Sequence, residues 1–485
     1  MANKINLPYL AAWMGIVSVG MFQFGYGIGM FNNFTSVLFY QYKAEGKAFF
    51  SNIDDFNAAV TTVVPLGAAF GAFTGGLLCS LGRRNAIFIA NMFIIIGAGI
   101  TMIFNLWALL GGRLILGYAC GAYTVISPLF ISETSPEEVA GSMGALNQFM
   151  VTAGIMVAYF FGFGVPFEFL KGVDPEIEGN RNQEVYDTHF WRVVFIIPAG
   201  IAILQSLFVL FIFRYDTPKY YSQKGDDESA QKVEDLIYKE HTTDINVSQN
   251  TPEKKEKEEK VPISALLTSK YRGAFIIGCA LALCQQLTGI NAVILYSNDI
   301  FVGDKKGFES ERAARIGTVL VGIVNWASAM MSIPLLLKFG RKSLLIFGQI
   351  TMGISLAVLG IFAIIENSTG IIVFTFLFVA FFEFSIGPIL WLYAAEVMTE
   401  SGMAAASLIT WIITIIFGLF TKRLFALLTP KGMYFSFTVI DIIGLIFIVF
   451  FIKETMGKTK LELRSLYSKE DYQQLENNKE EYLKA

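Results

Sequence analysis

The chain has 485 residues, of which 54% are hydrophobic and only 16% are charged, whereas a soluble globular chain carries about 25% charged residues. This balance excludes a soluble multidomain enzyme, and it excludes a disordered scaffold, which requires low hydrophobicity and high net charge. The net charge of −3 argues against a nucleic-acid-binding protein, which would show a basic patch. Twelve membrane spans of roughly 20 residues would use about 240 positions, which is about the size of the apolar excess.

Twelve apolar segments follow one another along the chain. They cover residues 7–30, 57–80, 86–106, 108–131, 141–165, 192–213, 271–301, 313–337, 343–366, 370–395, 402–428 and 432–452, and we number them spans one to twelve. Each is long enough to cross a hydrocarbon core of about 30 Å as a helix. Because lipid offers no partner to an exposed strand edge, the sequence predicts helices throughout.

The direction of insertion follows from the short basic loops. Arg83 and Arg84 follow span two, and Lys338, Arg341 and Lys342 follow span eight. The positive-inside rule places these loops in the cytoplasm. We therefore expect a multi-pass integral membrane protein in the plasma membrane, with both termini cytoplasmic.

The polar segment 214–270 divides the spans six to six. We expect an N-terminal six-helix bundle over residues 1–213, a linker over 214–270, a C-terminal six-helix bundle over 271–452 and a cytoplasmic tail over 453–485. The linker is open to two interpretations: a cytoplasmic bundle of short helices, or a solvated connection with a few helical turns.

An internal repeat supports this division, because sequence features recur at a near-constant offset of about 260 residues. The recurring pairs are Gly82-Arg83-Arg84 with Gly340-Arg341-Lys342, Asn32 with Asn291, Glu133 with Glu396, and Gln148 with Trp411. Two six-span repeats around a midplane cavity are typical of transporters, in which one half rocks against the other.

Polar side chains inside the spans are candidate site residues, since hydrocarbon tolerates them only where they face protein or water. They are Gln148 in span five, Gln285, Gln286 and Asn291 in span seven, Asn325 in span eight, Glu383 and Trp391 in span ten, and Thr410, Trp411 and Thr414 in span eleven. Amides donate and accept hydrogen bonds, which suits hydroxyl groups, and aromatic rings suit the C–H faces of a sugar. The alternative is that these amides only join one helix to another.

Span seven poses a geometric problem. Gln285 and Asn291 are six residues apart, so at about 100° per residue they would face different ways on a straight helix. An interruption at Thr288-Gly289 would bring both to one cavity, and broken helices are tolerated where they line a binding site.

The sequence gives little indication of a metal, cofactor or nucleotide site. The four cysteines lie in apolar runs, which argues against a disulfide framework or a zinc site, and the chain has only two histidines. Gly25-Tyr-Gly27-Ile-Gly29 is not preceded by a strand, and Gly457-Lys458-Thr459 lacks the glycine that a phosphate loop requires. We expect no cofactor, no metal and no ATP.

At these residues the sequence resembles the sugar porter family of the major facilitator superfamily, and within it the facilitative glucose transporters. The motifs that carry the resemblance are Gln23-Phe-Gly-Tyr-Gly-Ile-Gly-Met-Phe-Asn32, Leu81-Gly-Arg-Arg-Asn85, Gly112-Arg113, Glu133-Thr-Ser-Pro136, Gln285-Gln-Leu-Thr-Gly-Ile-Asn-Ala-Val293, Phe339-Gly-Arg-Lys342, Phe382-Glu383, Gly387-Pro-Ile-Leu-Trp391 and Glu454-Thr-Met-Gly457. The resemblance covers nearly the whole chain and implies the all-α major facilitator fold, with twelve transmembrane helices in two pseudo-symmetric bundles.

The resemblance also implies roles for individual residues. It implies hexose contacts from Gln148, Gln285, Gln286, Asn291, Asn325, Glu383 and Trp391, with Phe382 and Trp411 lining the cavity. It implies a conformational gate of charged residues that pair across the two halves at the cytoplasmic face, namely Arg83, Arg84, Glu133, Arg341 and Glu396.

Departures from the family pattern bear on mechanism. Proton-coupled sugar porters carry an aspartate where this chain has Gly27, which favours passive uniport, and Thr410 and Thr414 stand where glucose transporters carry asparagines. Asp441 in span twelve either forms a helix–helix hydrogen bond or binds a proton.

We therefore expect a facilitative hexose transporter, with glucose as the favoured sugar and membrane lipid as its surroundings, and not an enzyme. One alternative is a proton–sugar symporter that uses Asp441 or Glu383. A more distant one is a non-transporting sugar receptor.

Overall fold

The computed structural model describes residues 5–32, 34–47, 49–136, 138–164, 188–238, 262–294 and 308–468, together with residues 470 and 473. Within these ranges the chain is almost entirely helical. Eleven of the described helices are long and apolar enough to cross a membrane, and a shorter apolar helix, Arg272–Leu287, occupies the position of span seven. The predicted all-α architecture is confirmed.

The spans lie close to their predicted positions. The membrane-length segments are Leu7–Gly29, Ile53–Cys79, Arg83–Thr101, Leu106–Thr134, Ala140–Gly164, Phe190–Ile212, Arg315–Leu336, Arg341–Ile364, Ser368–Val397, Ser401–Thr421 and Lys431–Phe451. Span eight begins earlier as a helix, at Phe308, and ends at Lys338. Residues 295–301 of the predicted span seven lie outside the described residues.

Shorter helices lie between and beyond the spans. Thr35–Ala44 follows span one and was not predicted. In the described parts of the linker the chain forms the helices Pro218–Lys224 and Asp227–Ile237 and a 3-10 turn at Ile263–Leu267. Lys460–Ser465 is a helix in the tail. The described part of the linker therefore contains two short helices, which fit either interpretation, while residues 239–261 lie outside the described residues.

Two pairs of glycines allow spans two and four to pack backbone against backbone. A Cβ atom at Gly71 would lie 1.8 Å from the carbonyl oxygen of Tyr118, and one at Gly121 would lie 1.9 Å from that of Ala68. Any side chain at these positions would push the helices apart. Small residues perform this function widely in membrane helices, where close van der Waals packing drives association.

Non-helical backbone occurs between spans eleven and twelve and within span ten. Spans eleven and twelve are two helices within Glu400–Phe451 that meet at a kink at Thr429, whose φ is +59°. Span ten is interrupted at Ser385, with φ −131° and ψ −104°, so that it consists of Ser368–Phe384 and Ile386–Val397. The sequence analysis treated span ten as continuous, which was wrong, and the interruption places two shorter helices where one was expected.

Both ends of the described chain lie at one membrane face, which we call the terminal face. Asn6 donates its backbone N–H to the Ile237 carbonyl at 2.7 Å, which fixes the start of span one to the linker. Asp216 accepts backbone N–H bonds from Arg83 and Arg84 at 3.2 and 3.0 Å. The linker therefore packs closely beneath the first six spans.

Candidate functional site

The polar centre of the molecule begins at an interruption in span seven. The first helix of this span ends at Leu287, Thr288 follows, and Gly289 adopts a φ of +92° before helical backbone resumes at residue 290. A φ of this sign favours glycine, because a Cβ would approach the backbone too closely. The predicted break at Thr288-Gly289 is confirmed.

The break brings the amides of span seven together. Asn291 Nδ2 donates to Gln286 Oε1 at 2.5 Å, and Gln286 Nε2 donates to Gln285 Oε1 at 3.1 Å. Thr414 of span eleven also donates to Gln286 Oε1, at 3.2 Å. Gln285 Nε2 in turn donates to the Gly387 carbonyl at 3.1 Å, just after the interruption of span ten. Four polar side chains thus form one chain of hydrogen bonds across spans seven, ten and eleven.

A second polar contact joins the two sets of six spans. Gln148 Nε2 of span five donates to both carboxylate oxygens of Glu383 in span ten, at 3.1 and 3.0 Å. Glu383 is only 2% exposed. A carboxylate buried at this depth is costly unless it is hydrogen-bonded, and the Gln148 amide supplies that bond from the other half of the chain.

The remaining predicted site residues surround these contacts without joining the amide chain. Trp411 packs on Phe24, with ring centroids 5.0 Å apart and the rings edge to face. Phe382 is buried against the position of Gly387. Trp391 is half-buried beside the main apolar cluster. Asn325 is 2% exposed, and its Oδ1 has no hydrogen-bond partner among the described residues.

The two sets of spans are in contact near both membrane faces. The two sets of spans touch near the terminal face, where a Cβ at Gly144 would lie 3.6 Å from Leu392. They also touch near the opposite face, where the Tyr159 hydroxyl donates to the Ile294 carbonyl at 2.6 Å. The amide chain itself lies within the last six spans, and among the polar side chains described above the Gln148–Glu383 pair joins the two halves.

The predicted charged gate is wrong in its pairing. Arg83 donates to Glu133 at 2.7 Å, and Arg341 donates to Glu396 at 2.9 Å. Each arginine starts one span and its glutamate ends the next, within the same set of six, so the partners are local neighbours. These pairs bind each half to itself.

Arg84 also bonds within its own half. Its guanidinium donates to the Arg214 carbonyl. The predicted gate residues therefore lie together at the terminal face, but none of these bonds crosses between the two sets of spans.

A further hydrogen bond, between two neutral hydroxyl groups, joins the two halves. The hydroxyls of Thr124 in span four and Ser407 in span eleven are 2.8 Å apart and buried. Thr124 donates its single proton to the Gly121 carbonyl at 2.6 Å, so Ser407 is the donor in the bond between them. The sequence analysis missed this contact, because serine and threonine are common in membrane helices and neither position stands out.

The N-terminal ends of spans three and nine are held in the same way. Glu454 accepts backbone N–H bonds from Arg341 and Lys342 at 2.8 and 3.1 Å, as Asp216 does from Arg83 and Arg84. Carboxylates at a helix N-terminus satisfy free N–H groups and favour the helix dipole. Burial raises the pKa of the Asp216 carboxyl above its ordinary value, against the lowering effect of the N–H groups that it accepts.

Comparisons with known proteins agree with this architecture. A family model described as "Sugar (and other) transporter" matches residues 13–467. Hexose transporter 1 of Plasmodium knowlesi is 30% identical over 455 residues, which cover 90% of this chain and 88% of that protein. Glucose transporter GlcP of Staphylococcus epidermidis is 32% identical over 421 residues, which cover 83% of this chain and 87% of that protein.

A solved structure shares the fold. The proton:xylose symporter XylE, bound to 6-bromo-6-deoxy-D-glucose, superposes with a TM-score of 0.78 at 21% identity, covering 96% of this chain and all of that one. The family match over most of the chain shows that the protein belongs to the family of sugar (and other) transporters, as a multi-pass membrane sugar transporter and not an enzyme, and the superposition shows that it has the major facilitator fold of XylE.

Proposed function

We propose that this protein is a facilitative hexose transporter, with glucose as its substrate, that works as a passive uniporter by alternating access. The observation that carries the proposal is the hydrogen-bonded set of neutral amides in the last six spans, centred on Gln286, together with the Gln148–Glu383 bond that joins the two halves. Relatives named as a hexose transporter and a glucose transporter support the choice of sugar.

The amide chain is suited to exchange its bonds for those of a sugar. Gln285, Gln286 and Asn291 each offer both a donor and an acceptor, and a sugar hydroxyl offers the same pair of functions. Exchange of one hydrogen bond for another changes the free energy by only about 1 kcal/mol per bond. Weak net binding suits a carrier, which must release its substrate on the other side of the membrane.

The domain boundaries predicted above describe the moving parts in this proposal. Residues 1–213 and 271–452 act as two bundles that rock about the amide site, with the terminal face in the cytoplasm of a cell bounded by its plasma membrane. Opening towards the terminal face requires the Ser407–Thr124 bond to break. Opening towards the opposite face requires the Tyr159–Ile294 contact to break.

Uniport is favoured by the neutral character of span one. Gly27 stands where proton-coupled relatives carry an aspartate, and a Cβ there would meet only the side chains of Leu116 and Cys120. Asp441 accepts a hydrogen bond from Gln349 within the last six spans, which agrees with a helix–helix role.

The alternative is proton-coupled symport that uses Glu383. This carboxylate sits in the site itself, and its recorded partner is the neutral amide of Gln148. A protonated Glu383 would become a donor, so its proton could be linked to sugar binding.

Purified protein in liposomes tests the proposal. We expect radiolabelled glucose to equilibrate across the membrane to the same level with and without an inward proton gradient. Accumulation above the external concentration under that gradient would contradict uniport, and binding of glucose without flux would indicate a receptor.

The variant Gln286→Ala tests the site. It leaves the partners of Gln286 unpaired, and the loss of about 2 kcal/mol should reduce kcat/KM about 30-fold. The control Gln231→Ala removes the same side chain from the exposed linker helix and should leave uptake unchanged. Equal uptake by both variants would refute the assignment of the amide site.

A further inference from the structure

Span eight carries two adjacent polar groups that the proposed amide site does not use. The indole Nε1 of Trp326 and the amide Oδ1 of Asn325 are both buried, and neither has a hydrogen-bond partner among the residues that the structure describes. Asn325 as a whole is 2% exposed. Buried donors and acceptors are mostly paired in folded proteins. Other described side chains, among them Trp191 and Trp411, also have an unpartnered buried atom, but here a donor and an acceptor are adjacent in the sequence.

Trp326 lies where span eight meets span five of the other half. Its ring centroid is 5.8 Å from that of Phe149, with the planes at 42°. Phe149 directly follows Gln148, which holds Glu383 across the same interface. One turn before Trp326, the backbone of Gly322 approaches Tyr159 of span five, so that a Cβ there would lie 3.0 Å from the tyrosine ring. The indole is therefore at the interface between the halves and beside a proposed sugar contact.

The chemistry of the two free groups matches one kind of ligand. An indole N–H only donates, and the amide oxygen of Asn325 only accepts. A hydroxyl group is able to accept from the first and to donate to the second. The indole also presents an apolar face of the kind that packs on the C–H face of a sugar ring.

We propose that Trp326 is a further sugar-contacting residue, whose Nε1 donates to a hydroxyl of the hexose while its ring packs against the sugar. The proposal rests on the hexose function argued above and adds to it a specificity-determining residue. Within it, the closed structure leaves the donor of Trp326 and the acceptor of Asn325 unpaired because their partner is the substrate.

The variant Trp326→Phe separates this role from simple packing. Phenylalanine keeps one aromatic ring against Phe149 and removes the N–H donor, together with the second ring of the indole. For glucose we expect KM to rise about 5- to 30-fold, as for the loss of one substrate hydrogen bond, with kcat changed less than about twofold. Phe149→Leu is the matched control, since it removes the ring contact and keeps the donor.

A panel of monodeoxy glucose analogues supplies the decisive measurement. In the wild-type protein, removal of the hydroxyl that Trp326 binds should raise KM, and Trp326→Phe should add no further increase for that analogue alone. Phe149→Leu should affect all analogues by the same factor. A uniform effect of Trp326→Phe across the panel, or an unchanged KM for glucose, would overturn the proposal.

A second variant guards against misfolding. Trp326→His retains a ring N–H donor, so it should recover part of the discrimination between glucose and the deoxy analogue that Trp326→Phe loses. If Trp326→His unfolds at the same temperature as the wild type but recovers none of this discrimination, the result would also count against the proposal. If the wild-type protein transports no hexose, the proposed function itself is refuted. Failure of the Trp326 proposal alone would leave wild-type hexose transport intact.

Discussion

The first six spans and the last six spans follow one plan but place their polar groups differently. In the first set, the Tyr123 hydroxyl lies 2.7 Å from Asn91 Oδ1 and 3.1 Å from Gln205 Oε1, and Gln205 Nε2 donates to the Ile16 carbonyl at 2.8 Å. This cluster lies inside its own bundle. In the last set, the amides of Gln285 and Gln286 belong to a chain of bonds that runs across spans seven, ten and eleven and reaches both interruptions of the backbone.

The backbone of the last six spans is also distinctive. Two of the last six spans are interrupted within the membrane, at Gly289 and at Ser385, and the amide chain connects these two points. Irregular backbone is tolerated in a membrane where it lines a site. In the proposed function the last set therefore supplies most of the binding groups, and the two interruptions of its backbone lie at the ends of the amide chain.

The ion pairs at the terminal face also differ between the two sets of spans, in how deeply they are buried. Arg83 and Glu133 are each 4% exposed, and Glu133 also accepts from Thr217 at 2.7 Å. Arg341 and Glu396 are 11% and 18% exposed. Breaking a well-buried pair leaves an uncompensated charge, whereas a more exposed pair is partly screened by water.

The largest expected effect follows from this contrast. Arg83→Ala should lower the free energy of unfolding by up to about 3–5 kcal/mol, because buried Glu133 then keeps only Thr217 and the more distant Lys219, at 3.7 Å, as partners. Arg341→Ala should cost about 1 kcal/mol. Unfolding by SDS titration in detergent micelles measures both, and Lys232→Ala in the exposed linker helix serves as the unchanged control. Equal losses for the two arginines would remove the contrast between the halves.

A smaller effect is expected at the joint of span seven. Gly289→Ala places a Cβ at a φ of +92° and within 2.7 Å of the Phe437 ring, which should cost at least about 1–2 kcal/mol. It should also move Asn291 away from Gln286 and reduce glucose uptake about tenfold.

Gly200→Ala is the matched control for that joint. Gly200 lies inside the helix Phe190–Leu207, and a Cβ there meets no atom within 4 Å. The replacement should stabilise the helix by up to about 1 kcal/mol and leave uptake intact. Normal uptake by Gly289→Ala would show that the break is not needed.

The smallest effect is expected at Asp441. Asp441→Asn keeps an oxygen that accepts from Gln349, so uptake should stay within about twofold of wild type at pH 5.5 and pH 7.5. Measurements in liposomes with and without a proton gradient check this. If uptake depends on pH in the wild type and loses that dependence in the variant, Asp441 binds a functional proton and the last set of spans has a coupling role.

Much of the fold could be predicted because its signals are local. Each span is a long apolar run, and the break in span seven followed from the incompatible faces of Gln285 and Asn291 together with the intervening Gly289. The interruption at Ser385 was missed, because Gly387 and Pro388 near a span centre are also compatible with a continuous or gently bent helix.

The pairing of side chains could not be predicted in the same way. The gate residues were expected to pair across the halves, but they pair within each half. The bonds that cross include the one between Ser407 and Thr124, which the sequence did not indicate. Trp326 carried no sequence signal, since a tryptophan in a membrane helix is more often a packing residue.

The sequence by itself determined that this protein crosses the membrane many times, that it is built from a repeat, and that neutral amides collect in its last six spans. Only the tertiary structure decided which donor meets which acceptor, because a hydrogen bond forms only over a narrow range of distance and angle. The positions of the helices set those distances. These positions depend on contacts between residues far apart in the chain, such as Gln148 and Glu383.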